Sequence, residues 1–236
     1  LGWTVGAEVK LPAYFSDHMV FQRNRPLTVW GTAAPQETLE VKFGEETKAV
    51  AADGAGNWQV SFSPRPAGGP FTLEVSGANC LHFDDVMVGE LWLASGQSNM
   101  ALRLREARNG AEEVKNSADP KLRLFAVERN WTRMPDSRGT GKWQPASPSS
   151  STDFSAVAFY FGKRLAAELN VTVGLIDASW GGTMIEPWIV PFAFRQMETL
   201  QLLADQAERY DPASEAHRKI LDRQINDFTA YAAVLK

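Results

Sequence analysis

Cysteine and histidine are scarce in this sequence of 236 residues. Cys80 stands alone, so no internal disulfide can form, and no CxxC pair is present for zinc or redox chemistry. The three histidines, His18, His82 and His217, lie far apart in the chain and form no cluster with metal-ligand spacing. We therefore expect neither a metal nor any other cofactor.

A basic block and a long apolar run are also missing. The net charge is −4, and the clustered lysines and arginines that phosphate contacts require are absent. This charge pattern predicts no nucleic-acid partner. No apolar run approaches the roughly 18–20 residues of a membrane-crossing helix, which predicts no membrane span. The composition, 44% hydrophobic and 22% charged, is that of an ordinary globular protein.

The first third of the chain has the pattern of an all-β domain. Its short segments are rich in Val, Thr and aromatic residues, recur about every ten residues, and are separated by Gly-, Pro- and Asp-containing turns. In "TLEVKF" apolar side chains alternate with polar ones, which is typical of a half-buried strand. The predicted strands are 27–31, 38–43, 47–52, 57–62 and 71–77. This pattern predicts a β-sandwich domain over residues 1–84.

From residue 85 onward, strands alternate with helices. The predicted strands 85–95, 121–128 and 172–180 are almost continuously apolar, as expected where helices cover a sheet on both faces. Residues 151–170 are predicted to form a helix, with Thr152, Asp153 or Ser155 as its N-cap. Its predicted apolar stripe is Val157, Phe161, Leu165 and Leu169. This alternation predicts an α/β domain with a mainly parallel sheet.

Two other stretches complete the prediction. Residues 139–152, rich in Gly, Pro and Ser, are expected to form a surface loop. The chain from 192 to 236 is expected to be helical, with Pro212 separating two helices. The second of these helices carries an apolar stripe of Leu221, Ile225, Phe228 and Tyr231.

A candidate reactive serine follows the 85–95 strand in "SGQSN". Reactive groups in open α/β sheets collect at the carboxyl ends of strands, where Gly96 would let the chain turn sharply and present Ser98. A serine hydroxyl needs a base to become a nucleophile, and the oxyanion that forms needs nearby donors. Gly181-Gly182, after the 172–180 strand, could supply such a donor. These residues alone fit two interpretations, a catalytic site or two turns with satisfied polar caps.

A family resemblance favours the catalytic interpretation. "VGELWLASGQSNM" (88–100) and "VGLIDASWGGTMIEPW" (173–188) resemble the nucleophile and glycine blocks of the sialate O-acetylesterase family, within the SGNH/GDSL hydrolases. "LPAYFSDHMVFQRNRPLTVWGTA" (11–33) is similar to that family's amino-terminal opening. "WQPASPSSSTDFSAVAFYFGKRL" (143–165) is similar to the segment before the glycine block. The resemblance therefore covers most of residues 8–190, in the family's order.

The resemblance implies an amino-terminal β-sandwich (1–84) followed by an incomplete SGNH-type three-layer α/β hydrolase domain (85–236), with a helical insertion at 192–236. It implies ester hydrolysis with Ser98 as nucleophile. The Ser98 N–H and one from Gly181 or Gly182, with Gly182 favoured, would form the oxyanion hole. Supporting residues would be Gln97, Asn99, Thr183 and Glu186, and substrate-binding residues Trp180 and Trp188.

The family's Gln-Gly-Glu stretch and its Asp-x-x-His block, which supplies the base, are absent from these 236 residues. We expect both in a carboxyl-terminal part of the same precursor, and little esterase activity without it. The expected substrate is an acetylated sugar, a sialic acid in the first place. Alternatives are an acetyl esterase acting on xylan or another polysaccharide, and a non-catalytic carbohydrate-binding protein. The substrate class and the family's habit of export predict a secreted, periplasmic or lysosomal protein.

Overall fold

The computed structural model describes residues 8–130 and 138–234. Residues 1–7, 131–137 and 235–236, which fall in the two predicted domains, lie outside the described part. The described chain forms two compact units. The first contains residues up to 129 and residues 138–182, and the second contains the helical segment from Thr183 onward.

The described chain contains ten strands and six α-helices, besides three short 3-10 helices. The strands are β1 (Val20–Gln22), β2 (Leu27–Thr32), β3 (Thr38–Phe43), β4 (Glu46–Ala51), β5 (Asn57–Phe62), β6 (Gly68–Ser76), β7 (Cys80–Gly96), β8 (Asp119–Ala126), β9 (Trp143–Ala146) and β10 (Val173–Ser179). The helices are α1 (Gly110–Lys115), α2 (Pro148–Ser151), α3 (Ala156–Leu169), α4 (Pro191–Phe194), α5 (Gln201–Tyr210) and α6 (Glu215–Val234). All eight strands predicted from the sequence are confirmed, and β1 and β9 are additional.

One large sheet runs through the first unit, in the order β4-β3-β6-β7-β10-β8-β9, with β1 also paired to β7. β7, β10 and β8 are parallel to one another, whereas β9 runs antiparallel to β8. The hairpin of β2 and β5 forms a separate two-stranded antiparallel sheet. The fold is therefore a mixed α/β fold, and its parallel strands bring their carboxyl ends to one edge.

The amino-terminal strands enclose a core that the two sheets share. Alternate residues of β2 and β5, such as Val29 and Phe62, are buried against alternate residues of β3 and β6, such as Val41 and Val75. β7 adds Val86 and Val88 to this core and then continues without a break into the parallel sheet. The predicted boundary at residue 84 therefore falls inside one continuous strand, and the β-sandwich assignment stays a prediction.

Helix α3 covers the parallel sheet, but not with the predicted stripe. Its buried face is formed by Ala156, Ala158, Phe159, Gly162 and Ala166. Val157, Phe161 and Leu169 are exposed, so the predicted face is wrong. The reason is that α3 lies close to strand β10. A Cβ on Gly162 would lie 2.6 Å from Leu175 Cδ1, so only small residues fit at this contact. The cap prediction is confirmed, since the Ser155 side chain accepts a hydrogen bond from the Ala158 N–H.

The stretch predicted as a surface loop, 139–152, contains strand β9 and helix α2 instead. Trp143 in β9 is almost fully buried, and its indole N–H donates to the Tyr14 carbonyl at 2.9 Å. Its ring packs on Phe125 with a centroid distance of 5.4 Å. The prediction failed because turn-forming residues around a single buried tryptophan dominate the composition of this stretch.

The carboxyl-terminal half of β7 is less covered than its sequence predicts. Trp92 is 45% exposed and Leu93 is 65% exposed. β10 pairs with residues 90–96, and no second strand of the described chain pairs with residues 92–96. In the second unit, Leu221, Ile225 and Phe228 of α6 are also exposed. No helix in the described ranges is both long and apolar enough to cross a membrane.

Candidate active site

The turn that carries Ser98 starts where β7 ends. Gly96 has φ +131°, a conformation that favours glycine, and it redirects the chain out of the sheet. The next residues form a single tight turn, in which the Ala101 N–H donates to the Gln97 carbonyl at 2.9 Å. Ser98 lies in this turn and is exposed. The sequence therefore folds locally so that the serine stands at the carboxyl edge of the parallel sheet.

The glycine pair leaves the adjacent strand beside this turn. Ser179, the last residue of β10, lies opposite Gly96, and the Trp180 N–H donates to the Gly96 carbonyl at 2.9 Å. A Cβ built on Gly181 would lie 3.8 Å from the Ser98 Cα. Gly182 has φ +81°, and a Cβ there would meet nothing within 4 Å. The structure thus places Ser98 and Gly181 close together beyond the ends of two parallel strands.

Ser98 makes its polar contacts within its own turn. Its backbone N–H donates to Gln97 Oε1 at 2.7 Å, and its hydroxyl also donates to that oxygen. Asn99 is exposed, and its side chain makes no hydrogen bond to the described chain. An amide oxygen accepts a hydrogen bond but does not remove a proton, so Gln97 orients the hydroxyl without activating it.

One residue that was not predicted from the sequence, Asp177, holds this region in place. Asp177 in β10 accepts hydrogen bonds from the Ser155 N–H at 3.2 Å and from the Ser179 N–H at 2.9 Å. The Ser155 hydroxyl also contacts the Met100 sulfur at 3.5 Å. The start of α3 is therefore linked to the end of β10 and to the Ser98 turn. Asp177 could have been recognised from the sequence as a functional or structural candidate, because it is a charged residue in the otherwise mostly apolar strand β10.

The remaining predicted residues fall into two groups. Trp180 follows β10 in the first unit and is half-buried. Thr183, Glu186 and Trp188 belong to the second unit. Within it, the Trp188 indole N–H donates to the Thr183 hydroxyl at 2.8 Å. Glu186 Oε2 is buried and has no hydrogen-bond partner among the described residues.

None of the first unit's histidines is near Ser98. His18 Nδ1 lies 2.7 Å from Asp85 Oδ2, and Asp85 stands eleven residues before Gly96 on β7, about 36 Å at roughly 3.3 Å per residue. His82 lies still further back on the same strand. His217, in the second unit, bonds through Nδ1 to the Arg209 carbonyl at 2.8 Å.

The His18 cluster is an ion-pair site at the opposite end of β7. Arg123, which is buried, donates to both carboxylate oxygens of Asp85, at 2.5 and 3.1 Å. Partial burial raises the pKa of Asp85, but the hydrogen bonds from Arg123 and His18 outweigh it, and the net pKa lies below the ordinary value. His18 and Asp85 both have positive φ angles, +69° and +54°. The described residues contain no group of three His, Cys, Asp or Glu side chains arranged to hold a metal ion.

Comparison with known proteins agrees with this geometry. A family model described as a carbohydrate esterase, sialic acid-specific acetylesterase, matches residues 88–217. The sialate O-acetylesterase of Rattus norvegicus is 32% identical over 205 residues, which cover 78% of this chain and 38% of that protein. The Homo sapiens protein of the same name is 32% identical over 214 residues, with 78% and 39% covered.

A solved structure is similar as well. The crystal structure of a carbohydrate acetylesterase from Xanthomonas citri superposes with a TM-score of 0.77 at 36% identity, covering 85% of this chain and 45% of that one. The chain spans about two-fifths of the length of the curated relatives it matches. Because the family model matches more than half of its residues, the chain belongs to the sialic acid-specific acetylesterase family of carbohydrate esterases.

Proposed function

We propose that this protein is a serine esterase that removes O-acetyl groups from sialic acids or related acetylated sugars. The observation that carries the proposal is the juxtaposition of Ser98 and Gly181 just beyond the ends of two adjacent parallel strands, so close that a Cβ built on Gly181 would lie 3.8 Å from the Ser98 Cα. A nucleophile and a flexible backbone donor at one strand edge are the two groups that acyl transfer needs. Family membership supports the same chemistry.

In the proposed reaction, Ser98 Oγ attacks the acetyl carbonyl while a histidine accepts the hydroxyl proton. The N–H of Ser98 and that of Gly181 or Gly182 stabilise the oxyanion. The ester C–O bond then breaks, the sugar oxygen takes the proton from the histidine, and the acetyl group stays on Ser98. A water molecule, activated by the same histidine, attacks this acetyl-serine and releases acetate.

Gln97 has a defined part in this scheme. Its Oε1 accepts from the Ser98 N–H in the structure, so that N–H is engaged before substrate binds. Rotation of the Gln97 side chain would free the donor for the oxyanion. Asn99, Thr183 and Glu186 are proposed as supporting residues of the site. The Thr183 hydroxyl would keep Trp188 oriented through its 2.8 Å hydrogen bond to the indole N–H.

The catalytic base and its aspartate are proposed to come from a carboxyl-terminal part of the same precursor. The first-unit histidines support this proposal, because they lie along β7 far from its carboxyl end. The relatives support it too, because this chain covers only 38–39% of their length. On its own, the 236-residue chain would then have a nucleophile without its base.

The carboxyl half of β7 offers a surface on which that part can dock. Residues 92–96 pair with only one strand of the described chain, and the exposed Trp92 packs edge-on against Phe161 at 5.1 Å. An unpaired strand edge beside exposed apolar side chains is a template for a further strand. We propose that the carboxyl-terminal part supplies this strand and covers Leu93.

The sugar beneath the acetyl group is a finer proposal. Trp180 and Trp188, which precede and follow the glycine pair in the sequence, are proposed to pack against the acyl or sugar moiety. An acetylated polysaccharide such as xylan is the second candidate, and the match to a carbohydrate acetylesterase from Xanthomonas citri supports an acetylated carbohydrate in general. An acetylated sugar substrate is consistent with a secreted, periplasmic or lysosomal location, which we keep as part of the proposal.

The test compares the full-length protein with its Ser98→Ala and Ser76→Ala variants. Ser76 is an exposed serine at the end of β6, outside the proposed site, and serves as the matched control. We expect hydrolysis of 4-nitrophenyl acetate to disappear in Ser98→Ala and to persist in Ser76→Ala. O-acetylated sialic acid and acetylated xylan, assayed by acetate release, distinguish the two substrates. Ser98-dependent turnover by residues 1–236 alone would refute the missing base, and unchanged hydrolysis in Ser98→Ala would refute the proposed nucleophile.

A further inference from the structure

A cavity of about 650 Å³ lies beside the β2–β5 hairpin. One wall is the hairpin itself, and the other is formed by residues 10–13 together with Arg138 and Gly139. None of its lining residues belongs to the Ser98 region.

The walls of this cavity are fixed by backbone hydrogen bonds. Lys10 and Thr32 exchange two of them, each of 2.8 Å, and the Ala13 N–H donates to the Arg138 carbonyl at 2.8 Å. Gly31 permits the close approach, because a Cβ there would lie 2.3 Å from the Lys10 carbonyl oxygen. The cavity is therefore a built feature of the fold rather than a gap between loose segments.

Trp30 gives the cavity an aromatic surface that the fold does not require for its core. It points to the outer face of β2 and is 36% exposed. Its ring is held edge-on against the buried Phe15 with centroids 4.7 Å apart. One side of the indole is thus packed and the other is available, and its N–H has no acceptor in the described chain. A rigid indole of this kind presents a large contact area at low entropic cost.

Polar groups surround the indole. Gln59 lies directly opposite Trp30 on β5, and Asn57 lies two residues before it on the same outer face. Both side chains are exposed, and that of Gln59 makes no hydrogen bond within the described residues. The Lys10 ammonium is exposed and has no ion-pair partner there. Trp58 also lines the cavity, and its buried indole N–H has no acceptor in the described chain.

Asp53 lines the cavity and takes up one of these donors, because its Oδ2 accepts a hydrogen bond from Asn57 Nδ2 at 3.5 Å. Its carboxylate accepts from the N–H groups of Ala55 and Asn57, each at 2.8 Å. The hydrogen bond from the Asn57 N–H is the main cause that lowers the pKa of Asp53. The donors on Gln59, Lys10 and Trp30 are consequently left for a bound molecule.

We propose that this cavity is a glycan-binding subsite, in which Trp30 stacks against the face of a pyranose ring. The Gln59 amide and the Lys10 ammonium would hydrogen-bond its hydroxyl or carboxylate oxygens. A mostly apolar cleft with a few convergent polar groups is the usual form of a small-molecule site. The subsite would hold a sugar unit of the glycan whose acetyl group reacts elsewhere, and in that role it rests on the proposed esterase function.

The test measures oligosaccharide binding to the full-length protein carrying Ser98→Ala, so that no turnover interferes. The probes are sialyllactose and xylohexaose, neither acetylated, titrated by calorimetry. We expect one of them to bind, and Trp30→Ala to weaken its Kd at least tenfold, with Gln59→Ala weakening it several-fold. Tyr160→Ala is the matched control, since Tyr160 is also an exposed aromatic residue packed edge-on against a phenylalanine, and it does not line the cavity.

The outcomes separate this proposal from the previous one. Failure of both probes to bind at millimolar concentration overturns the subsite, as does equal binding by the Trp30→Ala and Tyr160→Ala proteins. Gln59→Ala removes an exposed, unbonded side chain, so its effect on Kd does not depend on folding. Binding that depends on Trp30 in a protein that cleaves no acetyl ester would keep the subsite and refute only the esterase. The identity of the binding probe distinguishes a sialylated glycan from a plant polysaccharide.

Discussion

The Trp180 N–H donates a 2.9 Å hydrogen bond to the Gly96 carbonyl, just beyond the last paired residues of two parallel strands. This bond extends the β7–β10 ladder by one step and makes both chains leave the sheet together. Ser98 and Gly181 therefore follow at equivalent distances from the same edge. The position of the nucleophile relative to the glycine pair is set by strand register, so changes in either turn should affect the site before they affect the fold.

The two glycines should respond differently to alanine. Gly182 has φ +81°, where an L-residue is strained by roughly 1–2 kcal/mol. A Cβ on Gly181 would make only ordinary contacts, at 3.8 Å to Ala101 Cβ and to the Ser98 Cα. Relief of this strain would shift the backbone N–H proposed for the oxyanion hole, so we expect Gly182→Ala to lower kcat/KM of the full-length protein. Gly181→Ala should cost less, and kinetics with 4-nitrophenyl acetate measure both. A larger loss in Gly181→Ala would contradict this ranking.

Stability should fall in acid because of Asp85. Its folded-state pKa is lowered, mainly by Arg123 once the opposing effect of burial is overcome. The carboxylate thus stabilises the fold above its unfolded pKa, which is about 3.9, and this contribution disappears as the pH falls through the lower folded value. We expect Asp85→Asn to be less stable than the wild type at pH 7 and to approach it near pH 3, by urea denaturation. Asparagine tolerates the positive φ at this position.

The control for Asp85 is Glu40→Gln, an exposed carboxylate on β3 for which the structure gives no bonded partner. It should change the unfolding free energy little at either pH. A stability difference between Asp85→Asn and the wild type that stayed constant from pH 7 to pH 3 would show that the ionised carboxylate is not the cause.

Much of this fold could be predicted from the spacing of apolar residues along the sequence and from its composition. The strand pattern from β2 to β6 followed from alternation, and the Ser98 turn followed from a buried strand that ends in Gly96. The face of α3 could not be predicted, because hydrophobicity favoured Phe161 whereas the contact with the sheet is formed by small residues around Gly162. The hydrogen bonds that Asp177 accepts were also not predicted, since they depend on which strand and helix ends meet in space.

The two phenylalanines of α3 test the corrected face. Phe159 is almost completely buried in the α/β core, whereas Phe161 is 43% exposed and contacts Trp92. Phe159→Ala should destabilise the first unit by about 3–5 kcal/mol, as large-to-small core substitutions do. Phe161→Ala should cost about 1 kcal/mol, the value of an exposed aromatic contact. Chemical denaturation of the two variants decides which face of α3 is buried. A larger loss of unfolding free energy in Phe161→Ala than in Phe159→Ala would support the face predicted from the sequence.

Leu93 provides a test of the proposed docking surface on β7. It is 65% exposed beside a strand edge that no second strand of the described chain pairs. In the isolated 236-residue chain, Leu93→Lys should reduce self-association, measured by light scattering, because a charged residue at an open strand edge discourages pairing with another chain.

In the full-length protein the Leu93→Lys substitution should lower both the melting temperature and the esterase activity, because the lysine would be buried under the carboxyl-terminal part. Leu202→Lys, on α5 and 79% exposed, is the matched substitution and should leave both unchanged. Full activity and an unchanged melting temperature in full-length Leu93→Lys would show that no segment covers this edge.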